Sequence, residues 1–234
     1  GATLVGAKTT AAKQRPVTDQ QQEVERVRLV QRVAKALQTA QDRGGTLRIR
    51  LTPPERVNLT TEGALDWIHW GALDRPPFAN RKSGVRKLVS AFTPIGTPTA
   101  TARGKDVYSP VFRWDDAEQI ESTQEGTQDH VYLQGPADIG VEVLVDTSAL
   151  TAGATYKAFF FFGLFNTKAR LEVAFDDGSV AMPPREEQSN RELDAMFQVN
   201  FRLPASRAKL RARWTMLSAP TSESALRIMA VAVR

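Results

Sequence analysis

Apolar and polar residues alternate strictly in TLRIRL (46–51), with Leu47, Ile49 and Leu51 on one side and Arg48 and Arg50 on the other. A period of two is what a half-buried β-strand requires, because successive side chains leave opposite faces. The same alternation runs through GVEVLVD (140–146). In ARLEVAF (169–175), Leu171, Val173 and Phe175 oppose Arg170, Glu172 and Ala174. In KLRARWTML (209–217), Leu210, Ala212 and Trp214 oppose Lys209, Arg211 and Arg213. ERVNLT, ALDWIHWG, VRKLVSAFTPIG, VYSPVFRW (107–114), HVYLQG (130–135), YKAFFFFGLFN, AMFQVNFRL and ALRIMAVAV are further strand candidates. Together they make about nine to eleven short strands divided by Gly, Pro, Asp and Asn, the pattern of an all-β antiparallel sandwich.

Two segments depart from that period. In TDQQQEVERVRLVQRVAKALQTAQDRGG, Val24, Val27, Val30, Val33 or Ala34, and Leu37 recur every three to four residues. Thr18 or Asp19 can cap the start and Gly44-Gly45 supplies a stop, which predicts one amphipathic helix of about six turns. Residues 1–18 are small and polar and read as an extended arm, so the chain divides into 1–45, arm and helix, and 46–234, the sandwich. The second departure is the run Phe159–Phe162, where Phe159 and Phe161 take one face and Phe160 and Phe162 the other. A strand apolar on both faces is a central one, roofed by a loop or by the N-terminal arm, or it offers an aromatic patch to a ligand.

Composition narrows the functional classes. The 234 residues are 41% hydrophobic, enough for a sizeable core, with no run of about 18 apolar residues to span a membrane. Without cysteine there is no disulfide, thiol catalysis or Cys-based zinc site. The formal charge of +5 favours anionic partners, but the Arg residues are scattered rather than clustered, so no specific nucleic acid is expected.

The segments LTTEGALDWIHWG, NRKSGVRKLVS, TPIG, FRWDD, VYLQG, ARLEVAFDDGSV, LRARWTML and ALRIMAVAV, in that order over residues 57–233, resemble a bacterial extracytoplasmic β-sandwich domain. That family is jelly-roll-like and galactose-binding-like, with a D-W-x-H-W-G opening followed by an Asn/His-Lys/Arg-x-Gly-Val segment. It occurs in secreted or envelope-anchored proteins, sometimes beside glycosidase domains. The resemblance implies Asp66, Trp67, His69, Trp70, Gly71, Lys82, Gly84 and Val85 as fold-defining motif positions, and an extracytoplasmic location.

Candidate chemistry is sparse. His69 and His130 are the two histidines, and no G-x-S-x-G elbow accompanies them, so neither a hydrolytic triad nor a transition-metal cluster is indicated. Asp176-Asp177-Gly178 reads as a turn, and Glu186-Glu187 as neighbours in sequence only. Asp115-Asp116 leaves room for a structural calcium ion, but the loop consensus is missing, so no cofactor is expected. Sugars present CH faces to aromatic rings and hydroxyls to polar groups, which makes Trp67, His69, Trp70, Tyr108, Trp114 and Tyr132 the candidate ligand residues. Strand parity puts Trp67 and His69 on one face and Trp70 on the other, so the two tryptophans form no single platform. The bland reading buries at least one of them and hydrogen-bonds His69 at the edge. A non-catalytic binding module for glycan or another envelope polymer is therefore expected first. A structural subunit, whose residues 1–43 dock on a neighbouring copy or partner, comes second, and a glycoside-active enzyme last.

Overall fold

The computed structural model describes residues 46–52, 56–107, 109–122, 124–204 and 206–234. Two compact units divide the chain, Gly1–Asp42 and Arg43–Arg234. The expected arm and amphipathic helix lie outside the described residues, as does Tyr108. The expectation of an all-β, jelly-roll-like fold is met by the second unit, a curled antiparallel sheet with one four-residue helix among the described residues.

The strands are β1 (Thr46–Thr52), β2 (Arg56–Asn58), β3 (Asp66–Trp70), β4 (Ala79–Arg81), β5 (Thr93–Ile95), β6 (Ala100–Lys105) and β7 (Val111–Arg113). They continue with β8 (Asp129–Gln134), β9 (Gly140–Val145), β10 (Thr155–Phe175), β11 (Arg185–Arg202), β12 (Leu210–Ser218) and β13 (Ala225–Val233); the helix is α1 (Leu59–Glu62). The path β4-β3-β13-β10-β12-β9-β5 forms the sheet, with β11 between β10 and β1, and β8 between β13 and β6. A separate parallel pair joins β2 to β7.

One strand holds both layers. YKAFFFFGLFN and ARLEVAF, which read as two strands, form the single 21-residue β10. Its first part pairs with β13 and its last part with β12. Between them Asn166 takes φ 45° and the register with β11 shifts, so the strand bulges and turns its continuation toward the other layer. The inner faces then meet: Phe162 stacks on Trp214 at 6.1 Å between centroids, Phe197 lies 5.5 Å from Trp214, and the Trp214 indole N–H donates to the Gly163 carbonyl at 3.0 Å. Parity holds as the alternation predicts, with Leu210, Ala212, Trp214 and Met216 buried and the arginines of β12 half-buried on the outer face.

The outer face of the first layer carries a second, smaller core. Trp67, Phe159, Phe161, Ala230 and Ala232 project from β3, β10 and β13, and Val57, Leu59, Phe112 and Trp114 cover them. The roof over the phenylalanine run is thus the segment of β2, α1 and β7. Asp116 clamps it down: its Oδ1 accepts from the Trp67 indole at 2.9 Å and from Thr60 Oγ1 at 2.8 Å, and its Oδ2 pairs with the Lys82 ammonium. Those donors engage both carboxylate oxygens of Asp116.

Candidate functional site

The D-W-x-H-W-G stretch becomes β3 and its exit, and all five residues of β3 are buried. Asp66 accepts the Leu88 and Val89 amides at 2.6 and 2.8 Å, and burial outweighs those bonds and pushes its carboxyl up. Trp67 belongs to the roofed core, while Ile68 and Trp70 belong to the main one. His69 departs from expectation: neither ring nitrogen has a hydrogen-bond partner, and the imidazole packs 5.0 Å from Phe112 and 4.9 Å from Trp114. Burial, before any charge, pulls its pKa down to about 3, so it is neutral. Full burial leaves no face of Trp67, His69 or Trp70 for a ligand. Trp114 is itself part of the roof and almost wholly buried, its indole N–H donating to the Ile120 carbonyl at 2.6 Å, and it borders only a small cavity of about 190 Å³. Lys82 is the clamp partner of Asp116, Gly84 takes φ +66° in an exposed turn, and Val85 is half-buried beside it. Gly71 sits at φ +101°, where a Cβ would lie 2.5 Å from the His130 amide nitrogen.

Tyr132 lines the larger groove, and register explains how that groove is built. Cross-strand partners share a face. One row across the outer face runs Asp194, Gly163, Arg227, Tyr132 and Ala102, from β11 through β10, β13 and β8 to β6. The next runs Glu192, Phe165, Ala225, Gln134 and Ala100. These rows continue the face that carries Phe159 and Phe161, beyond the reach of the roof. The result is a groove of about 520 Å³, within the usual size of small-ligand sites.

Small residues set its depth. The Asp194 carboxyl takes the space where Gly163 would carry a Cβ, and the His130 ring does the same at Gly104, with Nε2 2.6 Å from the Cβ position. Ala225 lowers the floor between them. Beneath the floor Arg227, only 3% exposed, donates through Nη1 to Asp106 at 2.7 Å, to Ser109 Oγ at 3.3 Å and to Asp194 Oδ2 at 3.4 Å. Its Nη2 and the Asp194 Oδ1 are buried with no hydrogen-bond partner. Burial raises the Asp194 pKa against the lowering pull of Arg227, and burial, then Arg227, brings His130 down to about 4.

The remaining carboxylate pairs lie elsewhere. Asp177 accepts the Ser179 amide at 2.9 Å in a turn, and Glu186 is bonded by Lys168 and Arg170 on the outer surface. Among the described residues no cluster of three His, Asp or Glu side chains is placed to hold a metal ion, and no helix is long and apolar enough to cross a membrane.

Gly163, Phe165, Glu192, Asp194, Glu223, Ala225 and Arg227 carry no motif and escape a reading by motif. Two of them do leave a trace. Gly163 interrupts the aromatic run, and Arg227 is the one charge inside the otherwise apolar ALRIMAVAV.

Fold and groove define a jelly-roll-like all-β domain with an open aromatic-and-polar groove on a sheet face. No protein-family model and no curated protein matches the sequence. Among solved structures, the enzymatically active domain of tailspike protein 4 from bacteriophage CBA120 aligns with TM-score 0.41 and 11% identity over 61% of this chain. This chain spans 19% of that tailspike chain. TmCBM61, solved with beta-1,4-galactotriose, aligns at 0.35 and 15% over 62% of this chain and 88% of its own. The CBM22-1-GH10 modules of a Clostridium thermocellum endo-1,4-beta-D-xylanase, solved with xylohexaose, align at 0.35 and 10% over 61% of this chain and 26% of theirs. With these three TM-scores below one half, the functional reading rests on the groove.

Proposed function

We propose that this domain is a non-catalytic, extracytoplasmic binding module that takes a glycan in the groove between β11 and β6. The observation that carries the reading is the combination within one open face: half-buried Tyr132 and Phe165 beside Gln134 and Glu192, over a floor of glycine and alanine. Aromatic rings cover the CH faces of a sugar and polar groups take its hydroxyls. The open, elongated floor suits a polymer better than a free monosaccharide, and envelope polymers of that kind lie outside the cytoplasm.

The absence of catalysis is part of the proposal. Glycoside hydrolysis uses one carboxyl as acid and a second as base or nucleophile. Here Asp106 and Asp194 are engaged with Arg227, His69 and His130 are buried and neutral, and the two exposed rim carboxylates, Glu192 and Glu223, are assigned to binding rather than to acid and base. Affinity electrophoresis against a panel of soluble polysaccharides tests the reading. Retardation by at least one polymer is expected, with Tyr132→Ala weakening it about tenfold, the scale of one lost aromatic contact. No retardation by any polymer, a Tyr132→Ala variant that binds as the parent does, or release of reducing ends on long incubation would overturn it.

A further inference from the structure

The chain is basic as a whole, but the groove is not. Glu192 from β11 and Glu223 from the turn before β13 are exposed on its rim, and among the described residues no cation lies within ion-pair distance of either. The groove's own cations do not balance them. The Arg227 guanidinium is held by Asp106 and Asp194 beneath the floor, which leaves Lys105 against two rim carboxylates. A ligand carrying negative charge would meet an excess of its own sign. One carrying ammonium groups would meet charge-assisted acceptors at the rim and the faces of Tyr132 and Phe165 below.

Resting on the glycan reading of the same groove, we infer that its ligand is a polymer of amino sugars with free ammonium groups. Glu192 and Glu223 bind the ammonium groups, and Tyr132 and Phe165 cover the ring faces. The selectivity is electrostatic at the rim and apolar at the floor, so the two parts separate by substitution.

Titration calorimetry on the full chain compares a chitosan pentasaccharide with the fully N-acetylated pentasaccharide, at mildly acidic pH where the free amines are protonated. The deacetylated ligand is expected to bind about tenfold more tightly, as charged hydrogen bonds require. Glu192→Gln and Glu223→Gln should each shrink that preference while leaving the weak binding of the acetylated ligand in place. Both residues are exposed, so the variants fold. Tyr132→Ala should weaken both ligands. If both ligands bind equally, or the acetylated one better, with loss in Tyr132→Ala, the amino-sugar inference fails and the glycan reading stands. The inference also fails if the chitosan ligand binds identically to parent, Gln and Ala variants, because the site is then elsewhere. If neither these nor neutral oligosaccharides bind in a Tyr132-dependent way, both readings fall.

Discussion

His69 is the residue whose chemistry differs most from its appearance in the sequence. A histidine between two tryptophans suggests a ligand or a proton shuttle, but neither nitrogen has a hydrogen-bond partner and the ring packs against Phe112 and Trp114. Its folded pKa of about 3 lies below the ordinary 6.5, so the unfolded chain binds the proton that the folded chain refuses. The stability held above pH 6.5 is therefore lost progressively as pH falls toward 3, by an amount on the order of a few kcal/mol. His69→Phe should flatten this acid limb in urea melts taken across that range, leaving the smaller slope from His130, whose pKa is about 4. An unchanged limb would show that His69 is not the group responsible. Gly71 makes a second case at this scale. A side chain there needs both a left-handed backbone and space held by the His130 amide, so Gly71→Ala should cost about 2 kcal/mol or more, read as a lowered urea midpoint.

At the scale of elements, the bulge in β10 and the roof over β3 do the organising. Asn166 tolerates φ 45° because its short polar side chain suits that region, and its amide donates to Thr221 Oγ1 at 3.0 Å. Asn166→Val should destabilise by about 1–3 kcal/mol and Asn166→Gly by much less, since only the β-branched residue resists the left-handed turn. Equal losses would mean that the side-chain bond, not the backbone, matters. The roof depends on a single acidic side chain. Asp116→Ala leaves the Lys82 ammonium and the Trp67 indole N–H without their acceptor, and a loss of about 2–3 kcal/mol is expected. The same variant should red-shift tryptophan emission as water reaches Trp67 and Trp114. A parental spectrum at parental stability would refute the clamp.

Over the whole described unit, β10 belongs to both layers, so neither layer can unfold and leave the other intact. All four tryptophans lie in this unit: Trp67, Trp70 and Trp114 report on the first layer and its roof, and Trp214 on the second. Phe162→Ala, at the junction against Phe160, Phe197 and Trp214, should cost about 3–5 kcal/mol and keep one coincident transition by fluorescence and far-UV circular dichroism. Two separated transitions would contradict the shared strand.

What the sequence by itself determined is local. Alternation placed Leu171, Val173 and Phe175 on the inner face and assigned Phe159–Phe162 correctly to two faces, because side-chain direction in a strand depends only on residue parity. It marked the Asp177-Gly178 turn for the same kind of reason. It did not show that β10 runs unbroken through Asn166, since a bulge has no hydrophobic period. Nor did it show that β11 begins in the polar REEQSNRELD segment, whose outward residues conceal the strand. Tertiary structure decided which faces are roofed and which stay open. Trp67 and Tyr132 are both strand aromatics of the outer face, yet one lies beneath Trp114 and the other borders a groove. That difference comes from neighbours contributed by β7, β11 and β13, at separations no local pattern encodes. The groove exists because registers across five strands bring Gly163, Arg227 and Tyr132 into one row, and register between distant strands is settled only when the sheet closes on its core.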